Sequence, residues 1–224
     1  MMDKIYCSGP MFSPGDQSDQ ATVAATLEDA GYTTYLPQRD GLDLGHYFQA
    51  LNDPAIDATT RTDAVVLIRK ACFVLDASEV LGGARALVFN MNGRVPDEGS
   101  VVEITMAYMA GIPLVIYKNT PITAEGQYDN PMVQGLSGTW EYARSYDAIV
   151  PALQAALSSS TNHGHVFAPP PALLSVMEQG RKVNDLAGQV AHIGTGGLSG
   201  PALLAAVSDL NAALVSLGLT PTGG

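Results

Sequence analysis

The sequence predicts an α/β protein: a doubly wound parallel sheet of five strands followed by a helical extension. Three observations lead there. Short apolar runs bounded by glycine or proline alternate along residues 3 to 157 with longer segments of helical period. Residues 85 to 117, RALVFNMNGRVPDEGSVVEITMAYMAGIPLVIYK, read on their own as strand, turn-rich loop, helix and strand. Beyond residue 171 the chain is rich in alanine and leucine at helical spacing.

Taken in order, Lys4 to Cys7 is an apolar run that Ser8-Gly9-Pro10 breaks into a loop reaching Gly15. Gly9, directly after a buried strand, lets a ligand approach the backbone. The loop contains neither GxGxxG nor GxxxxGK[ST], which leaves a dinucleotide or P-loop reading without support. Asp16 to Ala30 reads as an amphipathic helix with Ala21, Ala24, Ala25 and Leu27 on one face, closed by Gly31, and Tyr32 to Leu36 as the second strand. Pro37 to Asp57 is polar and broken, a loop whose Gln38, Arg39 and Asp40 are within reach of the strand ends. Thr60 to Leu81 carries an apolar face through Ala64, Leu67, Ile68, Ala71 and Leu75 and predicts a long helix.

Arg85 to Asn90 is the third strand, stopped at Asn92-Gly93; a mostly apolar helix from Val101 to Ala110 ends at Gly111, and Pro113 to Tyr117 is the fourth strand. Asn119 to Gly138 is loop-rich, Trp140 to Tyr146 is a last short strand, and Asp147 to Leu157 a helix. This alternation is flavodoxin-like, and in such sheets ligands sit in the crevice at the carboxyl ends of the strands. SSSTNHGHVFAPPP, residues 158 to 171, is a linker by composition. Residues 172 to 190 and 201 to 218 predict two helices around the turn IGTGGLSG, a hairpin for packing or oligomer contact. The implied domains are 1–158, a linker over 159–171, and the extension 172–224.

With 46% hydrophobic residues in 224, the chain can bury one good core and a small appendage. A formal net charge of −11 argues against nucleic-acid partners, which need clustered lysine and arginine against phosphates. Cys7 and Cys72 lie far apart without a CxxC or histidine companion pattern, so they read as small buried hydrophobes rather than a disulfide or metal ligands. MMDKIYCSG has no long apolar core behind basic residues, and no apolar run approaches the length of a bilayer span. A cytoplasmic protein is expected, with no cofactor, no metal and no membrane contact.

Asp97, Glu98 and Glu103 gather where the loop after the third strand meets its helix. Ser100-x-x-Glu103 fits a capping box, in which Glu103 returns a hydrogen bond to the cap. Three acids at one helix mouth also read as a site. Both readings of Glu103 stand at the level of sequence. Asp76 likewise falls near the end of a helix, where the dipole disfavours a carboxylate; it is either solvated or functional.

The run NGRVPDEGSVVEITMAYMAG resembles the signature of the nucleoside 2-deoxyribosyltransferase family, in which an aspartate lies six residues before a nucleophilic glutamate; here these are Asp97 and Glu103. IYCSGPMFSPGD resembles the family's first strand and substrate loop, with Tyr6 at its tyrosine position and Gly9 and Phe12 in the loop. Tyr35 to Gly41 and Asn130-Pro-Met132 match further family segments, so the likeness spans roughly residues 3 to 150. The resemblance implies that Gln38 contacts the nucleobase with Asp40 as a neighbour, that Asp76 touches base or deoxyribose, and that Asn130 and Met132 reach a neighbouring subunit's site in a homo-oligomer. A plain Asn-Pro surface turn is the other reading of that last segment.

It further implies exchange of the base of a 2-deoxynucleoside. Glu103 would be the nucleophile oriented by Tyr6, and Asp97, helped by Asp76, would exchange a proton with the base. Slow hydrolysis would be a side activity. A hydrolase acting on 2-deoxynucleoside 5'-monophosphates is the nearest rival, although SGPMFSPGDQSD has no arginine and two acids to receive a phosphate. A non-catalytic nucleoside-binding sensor is the rival from another class.

Overall fold

The computed structural model describes residues 3–93, 95–120, 129–159 and 168–221. It divides into two compact units: Met1–Pro37 with Glu79–Pro169, and Gln38–Ser78 with Pro170–Gly224.

The first unit is a five-stranded, all-parallel sheet with helices on both faces, in the flavodoxin-like order β2-β1-β3-β4-β5. Its strands are β1 (Lys4–Ser8), β2 (Thr33–Tyr35), β3 (Ala86–Asn90), β4 (Leu114–Tyr117) and β5 (Tyr142–Ala143). All residues of β3 and β4 are buried, as expected of parallel strands covered on both faces, and this is why they read as unbroken apolar runs. Alternation along β1 sends Ile5 and Cys7 to the face covered by α1 (Pro14–Asp29) and α7 (Tyr146–Ser158). Tyr6 packs on the other face with Ile104 and Ala107 of α5 (Glu98–Met109).

The buried face of α1 is Gln20, Val23, Ala24 and Leu27. The expected face through Ala21 and Ala25 is exposed instead. With so many alanines the helix carries little amphipathic contrast, and a glutamine occupies one of its inward positions.

Three helices join β2 to β3: α2 (Pro37–Asp40), α3 (Leu44–Ala50) and α4 (Ala58–Ser78), the last followed by a π-turn over Glu79–Gly83. The segment expected as an open loop is therefore largely helical, with the Asp43 side chain accepting from the His46 N–H at the start of α3. Beyond residue 170 the expected hairpin is instead three helices, α8 (Pro171–Asn184), α9 (Ala187–Thr195) and α10 (Gly200–Ser216). They share one core with α3 and α4, built on Tyr47, Leu67, Ile68, Leu75, Val190, Val207 and Leu210. The C-terminal helices thus complete the unit begun at Gln38 rather than standing apart. Helical period reveals that a face is buried but not which segment buries it. The histidines of the expected linker, His163 and His165, lie outside the described residues.

Helix α8 meets α4 at Gly180, where an added Cβ would stand 2.0 Å from the Val74 carbonyl oxygen and 2.4 Å from Ser78 Cβ. Ser78 Oγ, buried, donates to the Met177 carbonyl at 3.0 Å in the same contact. Glycine inside a helix usually costs stability relative to alanine. Here the order reverses: Gly180→Ala is expected to destabilise by about 2–3 kcal/mol through overpacking, read as a lowered urea midpoint.

Tyr47 is fully buried, and among the described residues its hydroxyl has no hydrogen-bond partner. Burial pushes its phenol up to about 12 from 10.0. The unfolded chain then ionises first, so this contribution is intact below pH 10 and is lost as pH rises toward 12, about 2–3 kcal/mol in all. Tyr47→Phe should melt no lower than the parent at pH 8 and should lose less stability between pH 10 and 12. A parallel decline in both proteins would refute this assignment.

Candidate active site

Helix α5 starts earlier than the expected Val101. Asp97 is its N-cap, with Oδ2 accepting from the Ser100 N–H at 2.7 Å and from Ser100 Oγ at 2.8 Å. Ser100 therefore lies inside the first turn, and Glu103 is displaced from the capping position. The capping-box reading of Glu103 is thereby overturned. Glu103 faces β1: the Tyr6 hydroxyl donates to its Oε1 at 2.8 Å and Ser8 Oγ to its Oε2 at 2.6 Å.

Tyr6 and Ser8 are both fully buried, whereas Glu103 is half-buried. The carboxylate of this half-buried residue is thus held by two strand hydroxyls at the carboxyl end of the sheet. Tyr6 is in turn fixed by stacking on Tyr35, ring centroids 5.3 Å apart. Ser8 was not singled out from sequence. Its signal was the two-residue period of β1, which puts it on the face of Tyr6.

Gly9 continues from β1 with φ +156°, and an added Cβ would sit 2.2 Å from Gln20 Nε2 and 2.9 Å from Asn90 Cβ. A side chain there cannot be accommodated without moving both. Phe12, further along this loop, is 85% exposed. The loop closes on Ser13, which caps α1 in a reciprocal capping box with Asp16.

Behind these residues Asp19 acts as a hub that sequence gave no sign of. Its Oδ2 accepts from Nδ2 of Asn90 at 2.8 Å and of Asn92 at 2.9 Å, and the Tyr146 hydroxyl donates to its Oδ1. Burial, with the Asp19 carboxylate beside it, holds the Tyr146 phenol above its ordinary range. Asn92 Oδ1 in turn accepts from the N–H groups of Asn119 at 3.0 Å and Thr120 at 3.3 Å. The loops after β3 and β4 are thus pinned to α1 and α7.

Asn130 caps the short helix α6 (Pro131–Gln134), accepting from the Met132 N–H at 2.9 Å, and Met132 is 79% exposed. Beside Asn130, Asp129 forms an ion pair with Lys118 at 2.8 Å, with side chains 7% and 1% exposed. Gln38 and Asp40 are in α2, where Asp40 pairs with Arg39 at 2.8 Å. Asp76 lies in α4, accepting the Cys72 thiol at 3.4 Å. These three belong to the second unit. Cys7 is buried and Cys72 half-buried. Among the described residues no group of three histidines, cysteines or carboxylates could hold a metal ion. No helix among them is long and apolar enough to cross a membrane.

The model of the family described as nucleoside 2-deoxyribosyltransferase matches residues 5–132, a span that contains Tyr6, Ser8, the loop after β1, Asp97 and Glu103. The chain belongs to that family. Membership in the nucleoside 2-deoxyribosyltransferase family implies nucleoside and nucleobase substrates and chemistry at the bond between them. No curated protein matches the chain. Among solved structures it is similar to one titled as the crystal structure of a conserved protein from Enterococcus faecalis V583. The two are 23% identical with a TM-score of 0.50, over 69% of this chain and 99% of that one. That likeness concerns the fold.

Proposed function

We propose that this protein transfers the 2-deoxyribosyl group of a 2-deoxynucleoside to a free nucleobase through a covalent ester on Glu103. The observation that carries this reading is half-buried Glu103, its carboxylate hydrogen-bonded on both oxygens by Tyr6 and Ser8 at the carboxyl end of a parallel sheet. Breaking the bond between sugar and base builds oxocarbenium character at the anomeric carbon, which a carboxylate on the opposite face captures. Captured and released by the same group, the sugar leaves with its configuration retained.

The departing base needs a proton, and Asp97 is the residue we assign to it. Its Oδ2 is committed to the cap, so the contact with the base falls to Oδ1. Glu103 lies six residues after Asp97, which sets their backbones about 9 Å apart along the helix axis. Exposed Phe12 would cover the base. Exposed Met132 with Asn130 would complete the site of a neighbouring subunit.

A monophosphate substrate is disfavoured by the first loop, where Asp16 and its capping box occupy the α1 N-terminus that an anion would otherwise use. The test is incubation with deoxyinosine, with and without adenine, followed by chromatography of bases and nucleosides. Deoxyadenosine formed only when adenine is present supports transfer. Hypoxanthine released equally in both makes the protein a hydrolase, and turnover of deoxyinosine monophosphate alone moves the substrate class. Saturable binding without base release leaves a sensor.

A further inference from the structure

Ser8 donates to Glu103 Oε2 at 2.6 Å while Tyr6 donates to Oε1 at 2.8 Å, so each carboxylate oxygen is engaged from β1 before any substrate arrives. Both donors are fully buried. Such hydrogen bonds do not favour the two states of the proposed cycle equally. Donors to a charged carboxylate are roughly twice as strong as donors to a neutral acceptor, and an ester is the neutral one. We propose that Ser8 is a positioning residue whose hydroxyl keeps the glycosyl-enzyme short-lived, by stabilising the free Glu103 carboxylate over its sugar ester. The inference rests on the covalent route proposed above.

In the first half-reaction an oxygen of Glu103 forms a bond to the anomeric carbon as the bond from that carbon to the base nitrogen breaks. The electron pair leaves on the nitrogen, which takes its proton from Asp97. In the second half the incoming base's nitrogen forms the new bond, its proton passes to Asp97, and the electron pair of the ester returns to the carboxylate. Charge on the carboxylate falls in the first half and is restored in the second. The Ser8 and Tyr6 donors therefore assist the step that empties the enzyme and restrain the step that loads it. With both in place the ester does not become a thermodynamic trap when no acceptor base is at hand. Either donor alone would leave one carboxylate oxygen without this support.

The experiment is intact-mass measurement after mixing the protein with deoxyinosine without acceptor and quenching in acid, run on the parent, Ser8→Ala, Ser8→Cys and Glu103→Ala. In Ser8→Ala the ratio of sugar-loaded to free enzyme should rise roughly tenfold over the parent, the span between a charge-assisted and a neutral hydrogen bond. Ser8→Cys keeps the shape with a weaker donor and should fall between the two. Glu103→Ala should show no adduct. An unchanged or lower ratio in Ser8→Ala and Ser8→Cys, from a parent that loads and exchanges bases, overturns the role of Ser8 and leaves the transferase reading standing. Base exchange by the parent with no adduct in the parent, in Ser8→Ala or in Ser8→Cys overturns the covalent route and the inference together. A Ser8 whose only role is structural would change melting behaviour and total rate without raising the loaded fraction.

Discussion

Glu103→Ala is expected to lower base exchange on the order of 10³-fold or more, the scale on which loss of a nucleophile is felt, while the protein stays folded. The separation of the two effects follows from the helix start. Asp97, not Glu103, supplies the cap of α5, so Asp97→Ala should cost about 1 kcal/mol of stability through the lost cap. Glu103→Ala leaves the cap in place and removes the shared acceptor of Tyr6 and Ser8. Circular dichroism of both variants, with exchange followed by chromatography, checks the pair. Near-parental exchange in Glu103→Ala would sink the mechanism, and global unfolding of that variant would return Glu103 to a structural role. Tyr6→Phe should lose less than Glu103→Ala, because Ser8 still holds the other oxygen.

The second large effect concerns stability. Lys118, directly after β4, is 1% exposed and pairs with Asp129, which directly precedes Asn130, the cap of α6. Lys118→Met leaves Asp129 charged and buried without its counterion, and is expected to cost about 3–5 kcal/mol. Asp129→Leu in the same chain removes the stranded charge, so the double variant should recover most of that loss. Equilibrium unfolding in urea reads both, and a double variant no more stable than Lys118→Met alone would contradict a desolvation penalty. Tyr142 shares this environment: burial and the neighbouring Asp129 raise its phenol above the ordinary range. Carrying a buried ion pair here is consistent with a role in fixing where Asn130 and Met132 sit, since an apolar pair would tolerate slippage that a directional one does not.

Much of the first unit was legible because its signals are local. Buried parallel strands are written as apolar runs, glycines and prolines mark their ends, and helices carry a 3.6-residue period; all of these act over a few residues. The pairing of Glu103 with Tyr6 and Ser8 spans 97 and 95 residues, and only the parallel register of β1 against β3 brings the two segments together. The same distance hid Asp19, whose partners on β3, the loop after it and α7 are 71 to 127 residues away. Tertiary structure also decided how α5 is capped: the sequence pattern offered a Ser100 capping box closed by Glu103, whereas Asp97 takes the cap and Glu103 turns to Tyr6 and Ser8 of β1.

What the sequence by itself determined, then, was the sheet, its flanking helices and the position of the acidic helix mouth, because these follow from patterns that a single element must satisfy alone. Only the tertiary structure decided which hydroxyls hold Glu103, which carboxylate caps α5, and that α8 to α10 share a core with α3 and α4. An apolar stripe or a buried hydroxyl specifies the kind of partner it needs, and the identity of that partner is fixed by packing elements distant in the chain against one another.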